Sequence, residues 1–151
     1  MEITGTISSV LSLKSNPGIV WSISPDETVF RAIELLAEKN VGALLVMEGE
    51  KLLGILSERD YTRKVALHGK NSKETLVGEI ISTNIITVTP QHSVEECMRV
   101  MIEHKVRHLP VFENEKVVGI VSINDLVNWI IKAQNHIIQQ MEDYIHGRYI
   151  A

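Results

Sequence analysis

Along this chain the spacing of hydrophobic positions changes from helical to strand-like and back, and the changes come in the same order twice. After Ser24-Pro25-Asp26-Glu27, the apolar residues Val29, Ala32, Ile33, Leu36 and Ala37 fall on one face of a helix that should end near Asn40. Ser24 or Asp26 is a candidate N-cap, with Pro25 near the first turn. Two short apolar runs follow, Ala43–Met47 and Leu52–Leu56, separated by Glu48-Gly49-Glu50-Lys51, a pattern that reads as a β-hairpin. Ser57-Glu58-Arg59-Asp60 then opens a second helix with Ser57 as its cap. The order returns after Thr89-Pro90: a helix over Val94–His104, a strand over His108–Phe112, a turn at Glu113–Glu115, a strand over Val117–Val121, and a helix from Ser122 or Asn124. Short strands at Val20–Ile23 and Ile85–Val88 would complete a β-α-β-β-α unit in each half.

The two halves align without a gap at an offset of 65 residues, Ser22–Tyr61 on Thr87–Leu126. Identities fall at Pro25/Pro90, Val29/Val94, Val41/Val106, Leu44/Leu109, Val46/Val111, Gly54/Gly119, Ile55/Ile120, Ser57/Ser122 and Asp60/Asp125. Such a repeat predicts a mixed α/β fold: two copies of one unit, packed sheet to sheet with pseudo-twofold symmetry and leaving two related clefts. The expected organisation is an N-terminal helical segment over 1–18, a first unit over 19–67, a connector over 68–83, a second unit over 84–132 and a helix extension over 133–151. The connector is polar and glycine-containing, with a helical turn expected at Val77–Ile81. The segment Thr4–Lys14 reads as a short helix carrying Ile7, Val10 and Leu11 on one side. The last helix carries an apolar stripe through Leu126, Ile130, Ile137, Met141 and Tyr144 or Ile145, longer than its own unit can cover. It should dock on the N-terminal helix or on a second subunit, and self-association into a homodimer is the more economical reading.

Composition narrows the function classes. With 151 residues, 44% hydrophobic and 23% charged, the chain has the make-up of a globular domain rather than a disordered segment. No apolar run approaches the roughly 20 residues of a spanning helix, and MEITGTISSVLSL lacks the basic start of a secretory signal, so no membrane association is expected. A net charge of −4 argues against a broad nucleic-acid surface, while leaving room for a local basic patch that holds a phosphate. The lone cysteine, Cys97, fits a reducing compartment, either cytoplasm or an organellar matrix; beside Val94, Met98 and Met101 it reads as an inert core thiol.

Gly54-Ile55-Leu56-Ser57-Glu58-Arg59-Asp60 and Gly119-Ile120-Val121-Ser122-Ile123-Asn124-Asp125 resemble the G-h-h-S/T-x-x-D signature of cystathionine β-synthase (CBS) domains. Two copies in register, each after a matching β-α-β, resemble a stand-alone tandem pair of the kind called a Bateman module. Physically, Asp60 and Asp125 fall in the first turn of a helix, where free N–H groups and the helix dipole favour a carboxylate. A carboxylate there can accept both hydroxyls of a ribose, while Ser57 and Ser122 can cap the helix or bond a phosphate. Helix capping alone is the plainer reading, and recurrence at both copies favours ligand contact.

The resemblance implies composite adenosine sites. One would combine Ile120, Ser122 and Asp125 with Gly18–Ser22, including Val20 and Ser22, and with Val41–Ala43, including Gly42 and Ala43. The other would combine Ile55, Ser57 and Asp60 with Asn84–Thr87, ending at Thr87, and with Val106–His108. Adenine would lie between apolar strand residues and bond to backbone. The copies differ where phosphate should lie: Arg107-His108 in the second stands against Gly42-Ala43 in the first. The Arg107 fork suits a phosphate and His108 adds a donor when protonated. Arg59, Arg63 and Lys14 could add charge, although each alone reads as a solvated surface residue. The two sites should therefore be non-equivalent.

His68, His92, His104, His136 and His146 show no metal-ligand spacing, so no zinc site is expected. Trp21 could stack on adenine but on a strand edge reads as core. No nucleophile constellation, P-loop or dinucleotide fingerprint is present, so neither catalysis nor a catalytic cofactor is expected. The expected function is a regulatory sensor that binds AMP, ADP, ATP, NAD(H) or S-adenosylmethionine and signals to a regulated protein partner. The alternative is a ligand-independent dimerisation or scaffold module.

Overall fold

The computed structural model describes residues 5–14 and 18–147; Thr4, at the start of the expected N-terminal helix, lies outside them. The element order is α1 (Ile7–Ser12), β1 (Ser22–Ile23), α2 (Val29–Lys39), β2 (Ala43–Glu48), β3 (Lys51–Ser57), α3 (Glu58–Asp60) running into a π-helical turn (Tyr61–Ala66), α4 (Val77–Ile80), α5 (Val94–His104), β4 (His108–Glu113), β5 (Lys116–Ser122) and α6 (Ile123–Ile145). The fold is mixed α/β with two sheets, as the repeat predicts. Two compact units are present. One holds Ile19–Thr87 with the hairpin tip Phe112–Gly119, and the other holds residues 5–14 and 18, Val88–Val111 and residues 120–147.

In the first of these units, β1 runs parallel to β2, which pairs antiparallel with β3 across a bulge at Val46/Met47. Every second residue of a strand faces the same side, and Leu44, Val46 and Leu56 pack with Val29, Ala32 and Leu36 of α2 and with Val65, Val77 and Ile80. α2 does not begin at the expected cap. Ser24 Oγ accepts the Asp26 N–H in a turn upstream, and Thr28 caps the helix by accepting the Arg31 N–H at 3.1 Å. Pro25 also lies before the helix, where its carbonyl accepts the Gly78 N–H. The helix ends at Asn40, in the left-handed conformation that an asparagine tolerates.

The other unit repeats this grammar. Ser93, 65 residues after Thr28, caps α5, and Lys105 takes the left-handed closing position of Asn40. β4 and β5 form a two-stranded sheet. The expected strand Ile85–Val88 shrinks to one parallel bridge between Val88 and Val111, and Val20–Ile23 shrinks to Ser22–Ile23. Strands this short have too few ladder bonds to extend. Val94, Cys97, Met101, Leu109, Val111, Val121 and Leu126 are buried here. α1 docks through Ile7 and Val10, both buried, and its free N–H groups are met by loop carbonyls, Ile7 N–H to His92 and Ser8 N–H to Pro90. α1 and α5 pack on α6. Of the two partners expected for the last helix, the N-terminal helix packs on its first turns, with the Gly5 backbone against the Trp129 indole. Beyond it, Ile138, Met141, Tyr144 and Ile145 are 52–76% exposed. No helix of the described residues is long and apolar enough to cross a membrane.

Candidate functional site

Each copy of the repeat builds the same capping box at the end of its last strand. In the first, Ser57 Oγ accepts the Asp60 N–H at 3.2 Å, while Asp60 Oδ2 accepts the Ser57 N–H at 2.9 Å and the Ser57 hydroxyl at 3.0 Å. In the second, Ser122 Oγ accepts the Asp125 N–H at 3.1 Å and Asp125 Oδ2 accepts the Ser122 N–H at 2.8 Å. The geometry follows from sequence: a serine leaving a strand with extended backbone faces the first helical turn, and an aspartate three residues on reaches back. The expectation that these residues cap helices is met in both copies.

The first helical residue of each box is tied in the same way to the residue ahead of the unit's first hairpin strand. The Gly42 carbonyl accepts the Glu58 N–H, and the Arg107 carbonyl accepts the Ile123 N–H. Ala43 pairs with Ser57 in the β2–β3 register. The structure therefore sets Gly42 and Ala43 beside Ser57 and Asp60, and Arg107 beside Ser122, each within its own copy, whereas the expected composite sites group Gly42 and Ala43 with Asp125 and Arg107 with Asp60. Ala43 is buried; the Arg107 side chain is exposed, and His108 and Arg59 are half-buried and engaged with neighbours. Ile55, Ile120, Val20 and Val106 are half-buried, Ser22 and Thr87 are exposed, and Arg63 lies on the surface of its helix. Trp21 packs at the edge of the first core with Lys39 Nζ 4.3 Å from its ring centroid.

The surroundings of the two carboxylates differ. Asp60 Oδ1 meets Lys64 Nζ at 3.2 Å and accepts the Ser82 hydroxyl at 3.4 Å; Lys64 also donates to the Ile80 carbonyl at 3.0 Å and to Ser82 Oγ at 3.2 Å. Asp125 Oδ2 meets Lys14 Nζ at 3.0 Å, and Lys14 donates to the Ile120 carbonyl at 2.8 Å. No donor among the described residues lies on Asp125 Oδ1. A cavity of about 30 Å³ opens here, lined by Val10, Leu13, Lys14, Asp125, Asn128 and Trp129. Trp129 Nε1 is buried without a hydrogen-bond partner among the described residues.

Lys64, Ile80 and Ser82 are absent from the sequence-based site. Lys64 had a signal, since it lies four residues after Asp60 on the same helical face. Ser82 had none, because its place comes from a long-range bridge, with Ile55 N–H to the Ser82 carbonyl and Ser82 N–H back to Ile55, each 3.3 Å. The sequence pattern suggests Lys14 as added positive charge near a phosphate; the structure sets its ammonium on the Asp125 carboxylate. Cys97 is fully buried, and burial, with Glu96 beside it, pushes its thiol up to about 11. That fits an inert core thiol.

Two segments, residues 16–67 and 77–132, each match the CBS domain model. The mitochondrial CBS domain-containing protein CBSX3 of Arabidopsis thaliana is 38% identical over 95% of this chain and 73% of its own length. The structure of a CBS-domain protein from Burkholderia ambifaria superposes with a TM-score of 0.84 at 43% identity, covering 86% of this chain and 96% of the other. A hexameric CBS-CP12 protein from bloom-forming cyanobacteria superposes with a TM-score of 0.69 at 28% identity, over 83% of this chain and 70% of its own.

Proposed function

The chain belongs to the CBS-domain family as a tandem pair, and from that premise we propose that it is a regulatory sensor of an adenosine-containing ligand, with Asp60 and Asp125 as the acceptors for ribose hydroxyls. Tandem CBS pairs are regulatory and often ligand-binding modules. One observation carries the finer reading: the same Ser-x-x-Asp box is built twice, and each time the carboxylate stays partly open, with side-chain exposure of 14% for Asp60 and 22% for Asp125. What supports ligand contact over capping alone is the recurrence of the box in both copies, and the exposed part of each carboxylate is what a ribose diol would reach. Ser57 and Ser122 hold the carboxylates in place. Phosphate preference differs between the copies, through Arg107-His108 in one and Gly42-Ala43 in the other. AMP, ADP, ATP, NAD(H) and S-adenosylmethionine all carry the required diol. The setting is the cytoplasm or an organellar matrix.

The test is the small molecule that co-purifies, identified by mass spectrometry after denaturation, followed by a thermal-shift panel of adenosine compounds. A ligand bound only by the folded state, at 100 times its dissociation constant, stabilises it by about 2.7 kcal/mol. No shift with any adenosine compound at millimolar concentration would sink the sensor reading.

A second reading, a homodimeric scaffold that works without ligand, draws on the exposed apolar run of α6. The hexameric assembly of the cyanobacterial neighbour supports self-association as such. Native mass spectrometry with and without nucleotide separates the two: a scaffold keeps one mass and function in both, while a sensor changes a partner's activity only when loaded.

A further inference from the structure

Both repeat carboxylates carry a lysine, and the two lysines come from unrelated places in the chain. On Asp60 it is Lys64, one helical turn along the same helix. The position 65 residues after Lys64 is Trp129, which has no charge, and in that copy the ammonium arrives instead from Lys14, just past the end of α1. Each lysine meets the aspartate and a backbone carbonyl, but in different detail: Lys64 reaches Asp60 Oδ1, the Ile80 carbonyl and Ser82 Oγ, while Lys14 reaches Asp125 Oδ2 and the Ile120 carbonyl of the strand leading into the box. What the copies share is an ammonium on the repeat carboxylate; only in the second does it also hold the strand residue ahead of the box, Ile120.

The groups held by Lys14 are those a nucleoside would need. Asp125 is the proposed ribose acceptor, and Ile120 is the strand residue whose backbone would meet the base. Lys14 is 30% exposed at its side chain, so its ammonium can rotate outward while Leu13 and Lys14 stay bonded to the last turn of α1 and the buried Ile7 and Val10 keep the helix anchored. We infer that Lys14 is a tethered competitor: its ammonium occupies Asp125 and the Ile120 carbonyl in the unliganded protein, and ligand entry expels it. This rests on the ribose reading above. The device sets the ligand concentration at which the sensor responds, and it couples occupancy to the position of the Lys14 side chain. By linkage, whatever favours ligand releases Lys14, and whatever holds Lys14 weakens ligand.

The sign of a charge-removing substitution decides the matter. Lys14→Met keeps the apolar stem and removes the ammonium. Measured by isothermal titration on the full chain with AMP and with adenosine, Lys14→Met should bind both about threefold to tenfold tighter, the scale of one partly exposed charged contact. In Asp125→Asn the same substitution should have no further effect. In the wild-type protein, saturating AMP should make Lys14 several-fold more reactive toward an amine-acetylating reagent, with Lys51 on the surface as reference. Weaker AMP binding with unchanged adenosine binding would make Lys14 a phosphate contact and overturn the inference, as would slower acetylation. Equal affinities in wild type and Lys14→Met would overturn it while leaving the ribose reading intact. Absence of binding in both proteins would remove the ribose reading and this inference together.

Discussion

Lys64 Nζ stands 3.2 Å from Asp60 Oδ1, so the first copy neutralises its repeat carboxylate from within its own helix. Ser82 bonds the same oxygen, and Ser57 takes the other. Asp60 thus has both oxygens engaged by protein, whereas Asp125 has its Oδ1 open among the described residues. The sequence points to unequal copies through Arg107-His108 against Gly42-Ala43; the carboxylates differ as well, since Asp60 is held on both oxygens while at Asp125 Lys14 and Ser122 share Oδ2.

Capping and ligand contact can be separated at Asp125. An asparagine there retains an oxygen for the Ser122 N–H but loses the charge. Asp125→Asn should therefore keep stability within about 0.5 kcal/mol, while Ser122→Ala, which removes the other half of the box, costs about 1 kcal/mol. Adenosine affinity should fall in Asp125→Asn by roughly 1.5–3 kcal/mol if charged hydrogen bonds to ribose are made. Urea melts and titration calorimetry read the two effects. An Asp125→Asn protein that melts early and binds normally would reduce the aspartate to a cap.

Gly54 sits where the Ile81–Ser82 backbone crosses the strand. A Cβ at Gly54 would lie 2.7 Å from the Ser82 carbonyl oxygen and 2.9 Å from Ile81 Cδ1. The first of these contacts is backbone, so relief requires a shift of the segment that also brings Ser82 to Asp60. Gly54→Ala should cost about 1–3 kcal/mol, in the range of overpacking. Gly49, at φ +61° with open space around it, should cost only about 1 kcal/mol on change to alanine, from the left-handed backbone alone. Urea midpoints compare them, and a Gly54→Ala variant as stable as Gly49→Ala would contradict the close approach.

Most of this architecture is legible in the residue pattern because local rules govern it. α2 over Val29–Lys39 and α5 over Val94–His104 follow from helical spacing, and both hairpins follow from short apolar runs around polar turns. The boxes at Ser57/Asp60 and Ser122/Asp125 follow from a three-residue spacing. The cap at Thr28 was missed because Ser24 and Asp26 carry the same capping chemistry, and only the structure shows them spent in the preceding turn. Lys14 and Ser82 were beyond reach as partners of the aspartates, because each arrives from another part of the chain. The π-helical turn at Tyr61–Ala66 carries no signal, since an extra residue per turn is a response to packing.

Cys97 gives a pH signature. Its pKa rises from the ordinary 9.0 to about 11 in the folded protein because burial disfavours the thiolate. The folded state therefore holds the proton more tightly than the unfolded state. Its contribution is complete below pH 9 and is lost as pH rises toward 11, a loss of about 2–3 kcal/mol at 1.36 kcal/mol per pKa unit. Urea midpoints of the wild type should fall more steeply than those of Cys97→Ala between pH 9 and 11. The groups common to both cancel in the comparison. Parallel curves would mean that the thiol titrates alike in both states.

The exposed apolar face of α6 offers the clearest test of assembly. Ile131, Ile138 and Ile145 recur every seven residues at 50%, 52% and 75% exposure, with Val127, Met141 and Tyr144 alongside. A helix presents such a stripe to water at a loss of about 1.5–3 kcal/mol for each large apolar side chain left unburied. A second copy can cover it with the same stripe, since a twofold interface is self-complementary. Replacing Ile138 and Ile145 by lysine puts like charges into that seam. The double variant should sediment as a monomer at concentrations where the wild type does not, and circular dichroism should show the helix retained. A wild type that sediments as a monomer at high micromolar concentration would show that the stripe does not pair with itself, and would leave it for a partner of different sequence.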